Sequence, residues 1–315
     1  MNRLLDIIPA SLLSELGGNP SFLCLSTAEI KYLIFSDDSD SPVFVIQPGT
    51  ERELTELKSY TAQLYSSLPD RIPEPIAIVN DHDQHYLIQH GIAGVPWFTL
   101  RHRIGKEMTW EKLVEQSTEA LGLFHTATSS NDEWVKQVSL TDLFTELHDQ
   151  VVQLGSDIPG IDQAIFTDCV NILSEHSPLT CFLQHGDMSV NNFMYRKEDV
   201  GIIDFEQFGR VYLPMHDEFL LIGSLLHLKT SPSIELVQSL WLQILESSKY
   251  KSLHDSKIIH VLLLMHIMWW LVESDGKDRR SRRRENYLQA FQTGFSTLME
   301  DQPAFIEKLL IIISK

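Results

Sequence analysis

The chain has 315 residues, a formal net charge of −18, and hydrophobic and charged fractions of 43% and 22%. This length and apolar content suffice for a substantial core, which excludes a fibrous or disordered chain and favours one two-lobed unit or two domains. The negative charge argues against a general nucleic-acid binder, because phosphate backbones attract net positive surfaces. No nucleic-acid partner is therefore expected.

The start of the chain and its most apolar stretch are unlike targeting or membrane segments. Asp6 and Pro9 interrupt the N-terminal apolar residues, and no small-residue cleavage site follows them, unlike in a secretory signal. The run 258–272 contains two histidines and is shorter than the roughly 20 residues of a spanning helix. The three cysteines are widely spaced and predict neither disulfides nor a zinc site. A cytoplasmic protein with no membrane partner is predicted.

The first ninety residues predict a small β-rich lobe. Apolar and alternating stretches bounded by turn residues predict one helix at 51–68 and strands at 21–25, 30–35, 42–47, 73–79 and 85–89. The Asp- and Ser-rich segment 36–41 favours a hairpin between the second and third strands. Gly91 and Gly94 follow the last strand and predict a hinge near residues 89–94.

Beyond residue 91 the pattern becomes mainly helical. Apolar residues at helical spacing predict helices at 110–126, 140–154, 161–175, 216–228, 234–246, 256–272 and 286–300. The apolar tail 305–313 predicts a docking helix. The predicted fold class is α+β, with a small antiparallel β lobe and a larger, mainly helical lobe.

The tract QHGDMSVNN at 184–192, followed by IIDFE at 202–206, has the spacing of a phosphoryl-transfer site. Asp187 and Asn192 have the separation of the Asp and Asn in a kinase catalytic loop, and Asp204 ends a short apolar strand where a metal-binding Asp belongs. A carboxylate can orient an attacking hydroxyl and take its proton, so Asp187 is the predicted catalytic residue. Magnesium prefers oxygen ligands, so Asn192 and Asp204 are the predicted metal ligands.

With these residues the chain resembles the aminoglycoside phosphotransferase and choline kinase family, which has a two-lobed protein-kinase-like fold. The segments PEP at 73–75, LIQHGIAGVP at 87–96 and LGLFH at 121–125 also resemble the family, so the likeness spans nearly the whole chain. It implies an N-terminal nucleotide-binding lobe at 1–90 and a C-terminal catalytic and acceptor-binding lobe at 91–315. It further implies Mg²⁺, ATP or GTP as phosphoryl donor, and a small-molecule acceptor such as an amino sugar or amino alcohol.

The small lobe departs from the family at the residue that grips the phosphates. Kinases of this fold carry a lysine on the third strand, paired with a helix glutamate. Here Gln47 takes that place, and the turn at 26–29 has no glycine-rich loop. Either Lys31 on the preceding strand reaches the phosphates, or the chain is a non-catalytic pseudokinase with a binding role. Gln47, Lys31, Gln89 and Gly91 are the predicted nucleotide-binding residues, although a lone strand lysine is more often a solvated surface residue.

The acceptor site stays open at the level of sequence. In the family, His185 supports the catalytic loop and Asp217 braces it, although an N-cap role for Asp217 is the simpler interpretation. The segment 265–270, with two tryptophans, and Tyr287 resemble the aromatic residues that hold choline, but paired tryptophans in an apolar run are more often core. Alternatively, the acceptor is an amino sugar whose amine contacts acidic side chains such as Asp217, Glu218 and Glu273. The basic cluster at 277–284 is either a solvated face or an anion site.

Overall fold

The computed structural model describes residues 5, 7–26, 30–37, 39, 41–100, 108–154, 161–253, 257–274, 282–298, 300 and 304–315. The chain divides into two compact units. The first comprises Met1–Ala120 and Asn191–Phe208, and the second comprises Leu121–Val190 and Gly209–Lys315. This division reflects packing, so the functional boundary near residue 90 stays a prediction.

The five strands predicted for the first ninety residues are present close to their expected positions, and the structure adds five short strands after them. In chain order the described strands are β1 (Ser21–Ser26), β2 (Ile30–Phe35), β3 (Phe44–Gly49), β4 (Pro75–Asp81), β5 (Gln84–His90), β6 (Val95–Pro96), β7 (Val135–Val138), β8 (Leu179–Phe182), β9 (Phe193–Tyr195) and β10 (Val200–Ile202).

The helices also follow the predicted pattern, with ends shifted by a few residues. In chain order the described α-helices are α1 (Glu51–Ser67), α2 (Trp97–Leu100), α3 (Trp110–Ser129), α4 (Leu140–Gln153), α5 (Gln163–Ser174), α6 (His216–His227), α7 (Ile234–Ser247), α8 (Ile258–Glu273), α9 (Arg282–Thr297) and α10 (Phe305–Ile313). Short 3-10 helices lie at Ala10–Glu15, Asp132–Trp134, Val190–Asn192 and Lys251–Leu253.

The first unit is built on a five-stranded antiparallel sheet with the order β1-β2-β3-β5-β4. Side chains alternate between the two faces of a strand, so Ile34, Phe44 and Ile46 share one face, where each is fully buried. Apolar residues of the N-terminal segment, including Ile8 and Leu16, belong to the same core cluster. The predicted α+β fold class and the β2–β3 hairpin are therefore confirmed.

Helix α1 begins at a capping box. The Thr50 hydroxyl accepts a hydrogen bond from the Glu53 amide, and the Glu53 carboxylate accepts one from the Thr50 amide. These bonds satisfy two backbone donors that a helix start leaves unpaired. Glu56 pairs with Arg52, one turn earlier in the same helix. Glu53 and Glu56 are the candidates for the helix glutamate that usually pairs with a third-strand lysine, and each has a local partner in this chain.

The second unit is packed around α8. Eleven of its residues are buried, and a helix that is apolar on every side belongs in the interior of a domain. Gly294 of α9 lies so close to Leu264 that an added Cβ would be 2.3 Å from a Leu264 methyl. The tail forms α10, whose Leu309 and Leu310 are buried, as predicted for a docking helix. Among the described residues, no helix has both the length and the apolar content needed to cross a membrane.

Candidate active site

Lys31 contacts the two acidic side chains of the IIDFE segment. Its Nζ lies 2.8 Å from Asp204 Oδ1 and 2.5 Å from Glu206 Oε1. The same Glu206 oxygen accepts a hydrogen bond of 3.0 Å from Gln47 Nε2. The tips of Lys31 and Gln47 therefore meet at one carboxylate oxygen within the first unit.

The register of the sheet explains this meeting. Tyr32 pairs with Ile46 across β2 and β3, and the next position along this register sets Lys31 opposite Gln47. Directly opposed residues project from the same face of a sheet. The Lys31 ammonium is therefore on the same face of the sheet as the Gln47 side chain, and directly across from it.

Lys31 is not the solvated residue that its isolation in the sequence favours. Its side chain is 19% exposed, and it bonds two carboxylates. Burial lowers the pKa of Lys31, but the charges of Asp204 and Glu206 outweigh that effect and raise it. The ammonium therefore remains charged in the physiological range.

The β9–β10 hairpin brings the predicted metal ligands together. Ile202 pairs with Phe193, and the Ile203 amide donates to the Asn192 carbonyl at 2.9 Å. Asn192 itself accepts this hydrogen bond and Asp204 directly follows the donor residue, so residues well separated in sequence become neighbours. Asp204 has a φ of 70°, a left-handed conformation that Asp tolerates better than most residues.

The donor atoms at this hairpin fit magnesium. Asn192 offers an amide oxygen and Asp204 a carboxylate oxygen, and magnesium is commonly held by one or two such groups with phosphates and waters completing its shell. Within the described residues, no group of three or more His, Cys, Asp or Glu is placed to hold a metal by itself.

Gln89 and Gly91 lie at the end of β5 in the first unit. Gln89 pairs with Val45 of β3, and the Gly91 amide donates to the Val43 carbonyl at 2.8 Å. A Cβ added to Gly91 would lie 1.8 Å from the Pro42 carbonyl oxygen, so only glycine fits. The structural need for Gly91 is clear, whereas its contact with nucleotide stays a prediction.

Gly17 and Gly18, the two glycines before β1, lie beside an acidic side chain. A Cβ added to either would lie within 4 Å of the Asp37 carboxylate, and the Asn19 amide donates to Asp37 Oδ2 at 3.1 Å. The β1–β2 turn, the expected place of a phosphate loop, includes residues 27–29, which lie outside the described residues.

The catalytic loop belongs to the second unit, where Asp217 holds it. The amides of His185 and Gly186 donate to the two oxygens of the Asp217 carboxylate at 2.7 and 3.0 Å. Gly186 has a φ of 85°, so the turn before Asp187 needs the freedom of glycine. The Asp187 amide donates to Nδ1 of the buried His185 at 3.3 Å. These bonds fix the backbone on which Asp187 stands.

The N-cap interpretation of Asp217 is wrong. Helix α6 begins after Met215, which has a left-handed conformation and makes no side-chain cap. Asp217 lies inside the first turn with its carboxylate on the catalytic loop, which matches the bracing role implied by the family resemblance.

A buried histidine completes this brace. His125 Nε2 lies 3.3 Å from Asp217 Oδ2, and its Nδ1 lies 3.5 Å from Glu218 Oε1. Burial opposes both charges, yet Glu218 and Asp217 raise the pKa of His125, and the hydrogen bond and charge of His125 help to lower the pKa of Asp217. The contact between His125 and Asp217 therefore supports the loop from the interior. Burial raises the pKa of Glu218, and Ser248 donates a hydrogen bond to it.

Asp217 and Glu218 do not provide an acceptor site. Both side chains have no exposed surface and are engaged inside the second unit. A carboxylate buried in this way cannot meet a dissolved amine without local unfolding. The hypothesis that they contact an amino sugar is therefore wrong.

The segment 265–270, which resembles the choline-binding aromatic residues of the family, is partly in the core and partly half-buried. Residues 265–268 are fully buried. Trp269 contacts the His216 ring at 4.4 Å between centroids, while Trp270 stacks on Tyr287 at 4.1 Å and 23°. Both tryptophans are half-buried. The core interpretation holds for the apolar residues of this segment but not fully for the tryptophans.

A relay of buried polar groups links this cluster to the catalytic loop. Tyr287 Oη lies 3.4 Å from His266 Nε2, and His266 Nδ1 lies 3.1 Å from His216 Nδ1. His216 Nε2 lies 3.3 Å from the carbonyl oxygen of Gly186. Burial lowers the pKa of His216 to about 4 and also lowers that of His266. Both rings are therefore neutral near pH 7, and the relay reaches the residue before Asp187.

Comparison with known proteins establishes the fold. No protein-family model matches the chain, and no curated protein matches it significantly. Solved structures do match. A choline/ethanolamine kinase family protein from Mesorhizobium loti has a TM-score of 0.57 at 14% identity, covering 100% of this chain and 99% of its own.

Two further structures agree. A choline kinase from Cryptosporidium parvum Iowa II has a TM-score of 0.53 at 13% identity, covering 98% of this chain and 96% of its own. A glucosamine kinase has a TM-score of 0.51 at 12% identity, covering 93% and 98%. The predicted kinase-like fold of the choline kinase and aminoglycoside phosphotransferase family is therefore confirmed.

Sequence reasoning assigned no role to several residues of this site. His125 stood in a segment that resembles the family, but nothing local marks it as the partner of Asp217. Glu206 was visible beside Asp204, whereas its contacts with Lys31 and Gln47 depend on sheet register. The relay through His216 and His266 joins two different helices. Helical periodicity can predict that these residues are buried, but it cannot predict hydrogen bonds between helices.

Proposed function

We propose that this chain is a magnesium-dependent small-molecule kinase that transfers the γ-phosphoryl group of ATP to a hydroxyl of an amino sugar, amino alcohol or related metabolite. The observation that carries the proposal is the contact of Lys31 with Asp204 and Glu206. It supplies a cation beside Gln47, where the family places its phosphate-binding lysine. The activities named for the matching structures agree with this assignment.

In the proposed reaction the acceptor oxygen attacks the γ-phosphorus, and the bond from that phosphorus to the ADP oxygen breaks. Asp187 orients the attacking hydroxyl and takes its proton, which is the role of a catalytic-loop carboxylate. The products are a phosphomonoester and ADP. Lys31 holds the phosphates, and Asp217 keeps the loop beneath Asp187 in place.

Asn192 and Asp204 would hold magnesium, which when bound neutralises charge on the β- and γ-phosphates. GTP is a second possible donor in the sequence-based prediction, and direct comparison of the two nucleotides decides between them. Gln89 and Gly91 are proposed to lie along the nucleotide.

The alternative is a pseudokinase that binds a ligand without transfer, which Gln47 at the lysine position favours. The test is ADP release from ATP with magnesium across a panel of choline, ethanolamine, glucosamine, fructosamine and aminoglycosides. The proposal expects acceptor-dependent release by the wild type that is lost in Asp187→Ala. Equal release by both proteins would remove Asp187 from the mechanism, and release by neither, with unchanged thermal stability in ATP, would favour the pseudokinase.

A further inference from the structure

A cation of the chain itself lies against the aromatic pair Trp270 and Tyr287. The Arg283 Cζ lies 5.0 Å from the Trp270 ring centroid and 6.0 Å from that of Tyr287. A cation within about 6 Å of an aromatic centroid is attracted by the ring. Arg283 is exposed while Tyr287 is buried, so the cluster presents a positive charge to solvent. The cation–π contact that these rings offer is therefore made by Arg283.

Arg283 and Asp187 act on the same neighbourhood of the second unit. Burial is the main cause that raises the pKa of Tyr287; Arg283 opposes this shift and Asp187 adds to it. Both charges therefore lie within electrostatic range of one hydroxyl. That hydroxyl also heads the relay through His266 and His216 to Gly186. The relay thus connects the aromatic pair that Arg283 contacts to the residue before Asp187.

The charge of Arg283 determines which ligands this neighbourhood favours. A quaternary or primary ammonium placed at the rings would meet the guanidinium as a like charge, which disfavours choline-like binding. An anion would instead find a planar set of donors that matches carboxylate and phosphate oxygens. The neighbouring Arg284 is buried and directs its Nη1 toward Leu271 and Ser274, so it supports the helix ends.

We propose that the acceptor carries an anionic group, a carboxylate or a phosphate ester, which Arg283 holds while the hydroxyl lies at Asp187. The transfer to that hydroxyl rests on the proposed kinase function, whereas binding of the anion does not. This assignment differs from the cationic amine that the fold resemblance alone implies.

Matched ligands test the proposal: glycerol against D-glycerate and glycerol 3-phosphate, ethanolamine against L-serine, and choline against L-carnitine. Binding is followed by tryptophan fluorescence, and the ligand-dependent signal is assigned with Trp270→Phe. Arg283→Gln is compared with Arg282→Gln, a neighbouring exposed arginine on the same helix. Unchanged urea unfolding midpoints show that both variants fold.

We expect at least one anionic ligand to bind the wild type and Arg282→Gln about tenfold to a hundredfold more tightly than its uncharged or cationic partner, the range of a charge-assisted hydrogen bond. Arg283→Gln should remove this preference. The proposal is overturned if no anionic ligand is preferred, or if Arg283→Gln keeps the preference. Comparison of glycerate with glycerol 3-phosphate distinguishes carboxylate from phosphate. ADP release is measured in parallel, so a preference without turnover would refute the kinase function and leave the anion site standing.

Discussion

Moving the positive charge from β2 to β3 would test how the nucleotide is gripped. Lys31→Gln removes the ammonium that contacts Asp204 and Glu206. Gln47→Lys returns a charge from the opposing strand, because the Gln47 side chain reaches the same Glu206 oxygen. The double variant therefore carries the lysine in the place that is usual for the fold.

The expected effect follows from the setting of Lys31. Its side chain is 19% exposed, so its charge is only partly screened by water. Loss of one preorganised donor to a transferring group lowers turnover by about 10²–10³-fold, or about 3–4 kcal/mol of transition-state stabilisation. We expect that loss in kcat/KM for ATP in Lys31→Gln. The double variant should regain at least about tenfold in kcat/KM over Lys31→Gln, since a lysine at position 47 lies directly across the sheet from position 31.

The assay is steady-state ADP release with saturating acceptor and varied ATP, or ATP binding by calorimetry for slow variants. Lys251→Gln, at an exposed lysine of the second unit, is the matched control and should retain wild-type values. The reasoning is refuted if Lys31→Gln binds and uses ATP as the wild type does. Failure of Gln47→Lys to recover any activity in the double variant would show that the two positions are not equivalent.

Three further predictions concern the framework of the site. Asp217→Asn should lower the free energy of unfolding by about 3 kcal/mol, because it disrupts the buried contact with His125 and the carboxylate that accepts hydrogen bonds from two loop amides. Urea titration measures this loss, and a loss no larger than that of the exposed Asp149→Asn would contradict the prediction. The pKa of His125 is raised and that of Asp217 is lowered, so the pair stabilises the fold most at pH values between their unfolded-state pKa values of 3.8 and 6.5. This stabilisation is lost as the pH rises through the folded-state pKa of His125, or as it falls through the folded-state pKa of Asp217. His125→Asn should therefore cost more stability near about pH 5.5 than at about pH 9, and an equal cost at both would rule out a charged His125. Gly91→Ala should destabilise by about 1–3 kcal/mol or more because its Cβ would overlap the Pro42 carbonyl, whereas Gly223→Ala in α6, with no atom within 4 Å of the new Cβ, should be neutral or slightly stabilising.

Most elements of the fold could be predicted because their signals are local. Alternation, turn residues and helical spacing each act within a few positions, so β1–β5 and the long helices fall near their expected bounds. Helix α9 is an instructive exception. It was expected from residue 286 but begins at Arg282, because basic residues rank among good helix formers and Arg284 is buried by contacts with α8. Half of the basic cluster thus belongs to a helix and the remainder, at 277–280, lies outside the described residues.

The site was harder to predict because its contacts are long-range. The separation of Asp187, Asn192 and Asp204 indicates chemistry from local spacing alone. The partner of Lys31 depends on the register of two strands and on a hairpin far along the chain. The N-cap interpretation of Asp217 is wrong because a helix-start signal depends only on adjacent residues, whereas the Asp217 carboxylate accepts hydrogen bonds from amides 31 and 32 positions earlier.

Phosphorus-31 NMR of the protein with ATP, magnesium, the acceptor panel and the anionic ligands D-glycerate, glycerol 3-phosphate, L-serine and L-carnitine tests the kinase assignment most directly, since it distinguishes transfer from hydrolysis. The account predicts a new phosphomonoester resonance that grows with ADP in the wild type, disappears in Asp187→Asn and falls about 10²–10³-fold in Lys31→Gln. Intact ATP with every acceptor, or inorganic phosphate as the only new signal, would contradict it.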